Sequence, residues 1–211
     1  MTQDLLSLVQ WLSPAFPTGG FAYSHGLESA ISSGQVTDAA SLRQWLTEVL
    51  QFGAGRQDAI LLVQALRSDA DYGALDDLAR ALQPSSERLS ETLEQGTAFA
   101  RTVAALTTRV LPARCLPVAV GEAAAPLSLP PAQVAALYLH AFASNLTSIA
   151  MRFMPLGQEA GQGVLASLHQ VIDALSAEAT LLTLEDLASS ALGADLSALA
   201  HETMDVRIFR T

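Results

Sequence analysis

Apolar residues recur at three- and four-residue spacing along almost the whole chain, and this helical period constrains the fold more than any other feature. The period is clearest where one helix face carries Leu42, Trp45, Leu46, Val49 and Leu50. No alternating strand pattern, hairpin signal or fixed-period repeat accompanies it. The sequence therefore predicts an all-α fold, a compact single domain over residues 1–211 with about eight to ten helices.

Proline and hydroxyl residues predict where individual helices begin. Pro84-Ser85-Ser86 is typical of the start of a long helix. Ser41, with Gln44 three residues later, is typical of a capping box. Pro130-Pro131 suits the first turn of a helix that runs to about Phe153, because a proline removes no intrahelical hydrogen bond there. Further helices are expected at 21–34, 158–182 and 184–191.

The chain is apolar for a soluble domain. Half of its residues are hydrophobic and only 15% are charged, against about 25% in ordinary domains. The segment from Ala123 to Met151 has no formal charge and is long enough to cross a membrane. Its prolines, His140 and Asn145 favour a buried helix, so we expect partner proteins rather than lipid to cover apolar surface. The single cysteine, Cys115, and the lack of a basic, apolar leader predict a cytoplasmic protein.

All 11 basic residues are arginine, and this excludes several kinds of chemistry. A P-loop, a Schiff-base enzyme and a kinase-type ATP site each need a lysine, which the chain does not contain. The formal net charge of -10 argues against nucleic-acid binding, because basic side chains are needed to neutralise phosphates. Nucleotide hydrolysis and nucleic-acid recognition are therefore not expected of this chain.

Ser24 is the candidate nucleophile, and it gives an alternative function. The stretch Ala22-Tyr23-Ser24-His25-Gly26 falls one residue short of the G-x-S-x-G motif of serine hydrolases. That motif needs a strand before the serine, whereas a Pro- and Gly-rich loop precedes Ser24. A serine hydrolase using Ser24 stays an alternative, and hydrogen bonding near a helix start is the competing interpretation.

The four histidines, His25, His140, His169 and His201, lie far apart in sequence. Resident zinc sites use ligand pairs within one helical turn, and His201-Glu202 lacks the second histidine of an H-E-x-x-H motif. We predict no permanently bound metal or other cofactor, and packed or surface positions for His140 and His169. Transient metal contact, or a site shared at an interface, stays open.

From Gly193 onward the helical period weakens, which predicts a C-terminal tail over residues 193–211. Within it, Arg207 and Arg210 flank Ile208 and Phe209. Large apolar side chains can anchor in a partner while arginines bind carboxylates or backbone carbonyls. We therefore predict that the tail docks onto a partner protein.

A second polar segment surrounds three glycines, Gly157, Gly161 and Gly163. Gln158 and Gln162 lie four residues apart on the same helix face. Glycines beside such a face allow close approach of another element. The segment favours a packing site or a polar recognition surface over catalysis.

Three segments together resemble the UreF family of urease accessory proteins. They are SPAFPTGGFAYSHGLE at 13–28; Asn145, Arg152 and PLGQEAGQ at 155–162; and HET with RIFR at 201–203 and 207–210. They occur in the family's order and spacing over nearly the whole length. His25 stands where the family commonly has glutamine, and Thr211 where serine is usual.

The resemblance implies an all-α, non-catalytic scaffold. Proteins of this family assemble, often as homodimers, with a UreD-type (UreH-type) protein and the UreG-type GTPase, and the complex loads nickel into apo-urease. The family member is thought to bridge the other two proteins and to modulate the GTPase cycle. Nickel would then pass transiently through the complex. The implied partners include neither nucleic acid nor membrane.

The resemblance, carried over by position, also implies two groups of residues. The expected partner-binding residues are Tyr23, Ser24, Glu28, Gln158, Gln162, His201, Glu202, Arg207, Phe209 and Arg210. The expected structural residues of the motifs are Pro17, Gly20, Gly26 and Gly157. No residue is assigned a catalytic role.

Overall fold

The structure, a computed structural model, describes residues 3–211. These residues form eleven α-helices and two short 3₁₀ segments, Gly20–Ala22 and Leu184–Asp186, and no strand occurs among them. The helices are α1 (Gln3–Trp11), α2 (Leu27–Ser32), α3 (Ala39–Phe52), α4 (Ala54–Ala65), α5 (Tyr72–Ala81), α6 (Ser86–Thr107), α7 (Leu116–Ala124), α8 (Pro131–Phe153), α9 (Gln158–Ser167), α10 (His169–Ala179) and α11 (Leu192–His201). The predicted all-α fold is confirmed.

The long helix α8 lies at the centre of the bundle. It packs against α2, α3, α4, α9 and α10, and its Leu139, Leu146 and Ile149 are almost fully buried. Within residues 3–211, α8 alone has the length and hydropathy of a membrane-spanning helix, yet half of its most apolar 18-residue window is buried inside the fold. Neighbouring helices therefore bury part of its apolar surface, as expected for a core helix.

Capping residues explain where two of the helices begin. The long helix α6 begins at the predicted Pro84-Ser85-Ser86, and Ser85 caps it, since its hydroxyl accepts the Arg88 N–H at 3.1 Å. The capping box predicted to begin at Ser41 is wrong, because α3 starts one turn earlier. The Asp38 carboxylate accepts the Ser41 N–H at 2.8 Å, and the Ser41 hydroxyl accepts the Asp38 N–H at 3.0 Å.

Three predicted helices differ from those in the structure. The helix expected at 21–34 begins only at Leu27, because His25 and Gly26 adopt positive φ angles of 60° and 80°. The helix expected at 158–182 is divided at Leu168 into α9 and α10. The helix expected at 184–191 is reduced to a single 3₁₀ turn, Leu184–Asp186.

The segment from Gly193, predicted to be a tail, is helical as far as His201. The buried residues of α11 are Ala194, Ser197, Ala198 and His201. Their spacing is helical, but small and polar side chains give almost no hydropathy signal. The small residues let α11 lie very close to Gly26, where an added Cβ would be 2.7 Å from the Ala198 nitrogen. We call residues 202–211, which follow α11, the C-terminal tail.

Candidate functional site

The C-terminal tail lies along the segment 12–26 between α1 and α2, which we call the N-terminal loop. The Arg210 N–H donates to the Ala22 carbonyl at 2.8 Å, and the Ser24 N–H donates to the Thr211 carbonyl at 3.0 Å. The His25 N–H donates to the Thr211 hydroxyl at 3.1 Å. Hydrogen bonds in both directions therefore join residues 22–25 to residues 210 and 211.

Glu28 binds the main chain of the tail. Its carboxylate accepts the N–H groups of Ile208 and Phe209, each at 2.8 Å. The same carboxylate lies 3.1 Å from the His201 Nε2 atom. Glu28 is 1% exposed, so these charge-assisted hydrogen bonds form away from water, where they are strong.

A stripe of three carboxylates on α6 faces the tail. Glu87, Glu91 and Glu94 are spaced by four and three residues, which places them on one side of the helix. Arg207 binds Glu87, and Arg210 binds both oxygens of Glu94 at 2.6 and 2.9 Å. We call these three glutamates the carboxylate stripe. Both tail arginines thus pair with carboxylates of their own chain.

Glu91, at the middle of the stripe, is the most buried of its members. It pairs with Arg88, accepts the Thr211 hydroxyl at 2.9 Å, and lies 3.7 Å from the His25 ring. Burial alone would raise the pKa of Glu91, but the Arg88 guanidinium and the His25 ring outweigh that effect and hold the pKa at about 2. Burial, followed by the charge of Arg88, lowers the pKa of His25.

His201 and Glu202 connect the end of α11 to the start of α6. The His201 ring is fully buried, and its Nδ1 atom lies 2.6 Å from Glu87 while its Nε2 atom faces Glu28. The Glu202 carboxylate accepts the Ser86 hydroxyl at 2.6 Å and the Glu87 N–H at 3.1 Å. A carboxylate at a helix N-terminus also meets a favourable dipole.

Tyr23 closes the far end of the site. Its hydroxyl donates to Glu94 and accepts from the Arg210 guanidinium at 2.7 Å, which also lies 5.1 Å from the centroid of the tyrosine ring. Burial, together with the hydrogen bond to Glu94, raises the pKa of Tyr23. Bonds from Tyr23 and from Arg210 lower the pKa of Glu94.

Phe209 anchors the tail in the apolar core. It is 6% exposed and meets the Phe153 ring edge to face, with centroids 6.1 Å apart. The Arg152 guanidinium lies 5.2 Å from the Phe209 ring centroid and donates to the Phe21 carbonyl at 2.9 Å. Arg152 thereby links the end of α8 to both the tail and the N-terminal loop.

The glutamines of the segment at 155–162 do not join the tail. Gln158 and Gln162 are exposed on α9 and line a cavity of about 510 Å³ under the N-terminal loop. Pro17, Gly20 and Asn145 line it too, and the Asn145 amide donates to the Gly20 carbonyl at 3.0 Å.

Two of the predicted structural glycines differ in what they do. At Gly157 an added Cβ would meet no atom within 4 Å, so packing does not require a glycine there. Gly26, by contrast, needs both its positive φ and its missing side chain.

The position of Ser24 favours hydrogen bonding over nucleophilic catalysis. Its side chain is fully buried, donates to the Thr211 carbonyl and accepts the Glu28 N–H at 3.2 Å. No strand precedes it in the part of the chain that the structure describes. The hydroxyl lies beneath the tail and joins it to α2.

Metal-binding residues do not assemble at this site. Within residues 3–211, no group of three or more His, Cys, Asp or Glu side chains is arranged to hold a metal ion. His140 and His169, which are distant in sequence, nevertheless lie side by side, with ring centroids 5.6 Å apart. Burial, together with the charge of His169, lowers the pKa of His140.

Comparison with known proteins establishes the family. The UreF family model matches residues 36–169. The chain is 65% identical over 211 residues to the urease accessory protein UreF of Cereibacter sphaeroides, and the match covers all of both chains. The chain belongs to the UreF family. It is also 55% identical over 206 residues to the protein of that name from Paracoccus denitrificans, covering 98% of this chain and 95% of the relative. The corresponding protein of Roseobacter denitrificans is 43% identical over 211 residues, which is all of this chain and 95% of the relative.

The tail site of this UreF-family chain extends beyond the part that the family model matches. The loop and α2 precede residue 36, and the tail follows residue 169, whereas the full-length relatives align across both. The carboxylate stripe lies inside the matched part. Sequence reasoning missed the stripe, although the spacing of Glu87, Glu91 and Glu94 in a predicted helix was a usable signal.

Replacing Glu28 by glutamine tests how much the tail depends on this carboxylate. We expect Glu28→Gln to lower the free energy of unfolding by about 2–4 kcal/mol. An amide has only one accepting oxygen, so its NH₂ group would face one of the two tail N–H groups and leave that donor unpaired. Urea denaturation measures the change. The matched control is Glu159→Gln, an exposed carboxylate on α9, which should stay within about 0.5 kcal/mol of wild type. Equal stabilities of the two variants would contradict the role of Glu28.

The pKa of Glu91 predicts a pH dependence. Its folded pKa of about 2 lies below the ordinary value of 4.5, so its stabilisation is complete above pH 4.5 and is lost as the pH falls toward 2. The stability difference between wild type and Glu91→Gln should therefore be constant near neutral pH and shrink below pH 4.5, by up to about 3 kcal/mol at full protonation. Urea denaturation of both proteins between about pH 6 and about pH 3 measures it. A difference that does not change with pH would contradict the assignment.

Proposed function

We propose that this UreF-family protein is a non-catalytic scaffold for GTP-dependent nickel incorporation into apo-urease in the cytoplasm. It bridges a UreD-type (UreH-type) protein and the UreG-type GTPase and modulates the GTPase cycle. Family membership and the names of its relatives, which are urease accessory proteins, support this proposal. Nickel is the cargo of the complex, and no cofactor stays bound to this chain.

The observation that carries the proposal is an apolar face opposite the buried side of α11. Leu192, Leu196 and Leu199 are 69%, 64% and 45% exposed, at spacing that puts them on one side of the helix. Val206 and Ile208, in the tail that α11 leads into, are 79% and 68% exposed. We call these five residues the apolar face. Large apolar side chains grouped in this way are typical of a protein-binding surface.

The internal bonds of the tail support the same proposal. Adjacent residues of the tail face opposite directions, since Phe209 is buried in the core while its neighbour Ile208 is exposed. The intramolecular contacts of Arg207, Phe209 and Arg210 thus hold Val206 and Ile208 outward in a fixed position. A preformed surface binds a partner without the entropy loss of ordering the segment first. The occupant we propose is the UreD-type protein.

The role toward the GTPase follows from the same contacts. Arg207 and Arg210 bind Glu87 and Glu94 of their own chain, so neither is free to enter another protein's nucleotide site while the tail is docked. The scaffold acts on the GTPase by binding one of its conformations more tightly than the other. Homodimer formation is part of the proposal, and the exposed side chains of Leu6, Val9 and Phe21 leave further apolar surface for such a contact.

Point variants of the apolar face test the proposed partner surface without disturbing the fold. We expect the Leu196→Ser, Ile208→Ser double variant to capture the UreD-type protein at least about tenfold more weakly in a pull-down, because exposed apolar contact area is lost. The control is Leu106→Ser, a leucine of similar exposure on α6, about 18 Å along the helix from Glu94. Circular dichroism should be unchanged in both variants. Undiminished capture by the double variant, or equal loss in the control, would contradict the proposed surface.

A reconstituted assay tests the function itself. Apo-urease, the UreD-type protein, the UreG-type GTPase, GTP and Ni²⁺ should give active urease only when this chain is added. The chain should co-elute with both accessory partners from gel filtration and should not hydrolyse GTP when alone. Full activation in its absence would overturn the proposed function, whatever the outcome with the surface variants.

A further inference from the structure

Two histidines that are 29 positions apart in the sequence meet on the surface of the bundle. His140 lies in the middle of α8 and is half-buried, and His169 is the first residue of α10 and is exposed. Their ring centroids are 5.6 Å apart, and the ring planes differ by 43°. The two imidazoles therefore form an open pair that the tail site does not use.

The separation of the rings matches that of two imidazoles bound to one metal ion. A ring nitrogen lies about 2.0–2.1 Å from a bound zinc ion, which places each ring centroid about 3.2 Å from the metal. At a tetrahedral angle the two centroids would then be about 5.2 Å apart. The observed centroid separation is a few tenths of an ångström longer than this value, and rotation about the side-chain torsions can turn one nitrogen of each ring toward a shared ion.

The helices that carry the pair are fixed relative to one another. α8 and α10 pack closely, and Leu139, Leu146, Ile172 and Leu175 are buried in the common core. The break at Leu168 places His169 at the start of α10, beside the middle of α8. Two donors held in place in this way bind an ion more tightly than two free imidazoles, because the second contact is intramolecular.

We propose that His140 and His169 form a bidentate site for a late first-row divalent cation such as Ni²⁺ or Zn²⁺. Imidazole nitrogen is a preferred donor for these ions. Among residues 3–211 no third His, Cys, Asp or Glu completes a cage, so water fills the remaining positions and the ion exchanges readily. The inference does not depend on the proposed function, since it concerns metal binding by this chain alone.

Calorimetric titration of the tag-free full chain with NiCl₂, and separately with ZnCl₂, tests the site. Wild type should bind one ion per chain with a dissociation constant below about 1 mM. His169→Ala and His140→Gln should each weaken binding at least about tenfold, since either change leaves a single donor. Gln170→Ala, an exposed neighbour of His169, is the control and should bind as wild type does.

Thermal unfolding with and without the metal separates a binding role from a packing role. Added Ni²⁺ should raise the Tm of wild type and of Gln170→Ala, because the ion binds the folded state, and should leave the Tm of His169→Ala unchanged. His169 is exposed, so its alanine variant should fold. Absence of saturable binding to wild type, or equal metal affinity in wild type and His169→Ala, would overturn the proposal.

Discussion

A carboxylate that is removed from water must be surrounded by donors, and Glu28 finds its donors in the last residues of the chain. The amides of Ile208 and Phe209 and the ring of His201 occupy its two oxygens. Because these groups follow Glu28 by more than 170 positions, the local fold of α2 is complete only when α11 and the tail are in place. The missing side chain of Gly26, which lets α11 approach, serves the same contact.

The carboxylate stripe extends this arrangement along α6. Glu87 binds Arg207 at one end of the stripe, Glu94 binds Arg210 at the other, and Glu91 between them accepts the Thr211 hydroxyl. Three side chains of the tail thus match three carboxylates at fixed spacing on one helix. Such a match fixes the register of the tail and therefore the direction in which its other side chains point. The internal ion pairs thus bear on the proposed function through geometry. They hold Val206 and Ile208 exposed at the surface, where we propose that the UreD-type protein binds.

The sequence allowed the fold class and much of the framework to be predicted, and the reasons for the misses are physical. The starts of α6 and α8, at Ser85 and Pro131, and the buried side of α3 were predictable. Helix-start residues and large hydrophobic side chains give signals that are local in the sequence. α11 was missed because alanine and serine form its buried face. The arginines of the tail do bind carboxylates, as the sequence suggested, but the carboxylates belong to α6, and no local pattern reveals which partner a charged residue meets across the fold. The same holds for His140 and His169, which only the packing of α8 on α10 brings together.

We conclude that the tail is bound to its own chain before any partner arrives. Amide hydrogen exchange of the isolated protein measures this directly at Ile208, Phe209 and Arg210, whose N–H groups donate to Glu28 and to the Ala22 carbonyl. We predict exchange at least about 100-fold slower than in an unstructured peptide of the same sequence. Exchange at the rate of the unstructured peptide in the free protein would contradict the account.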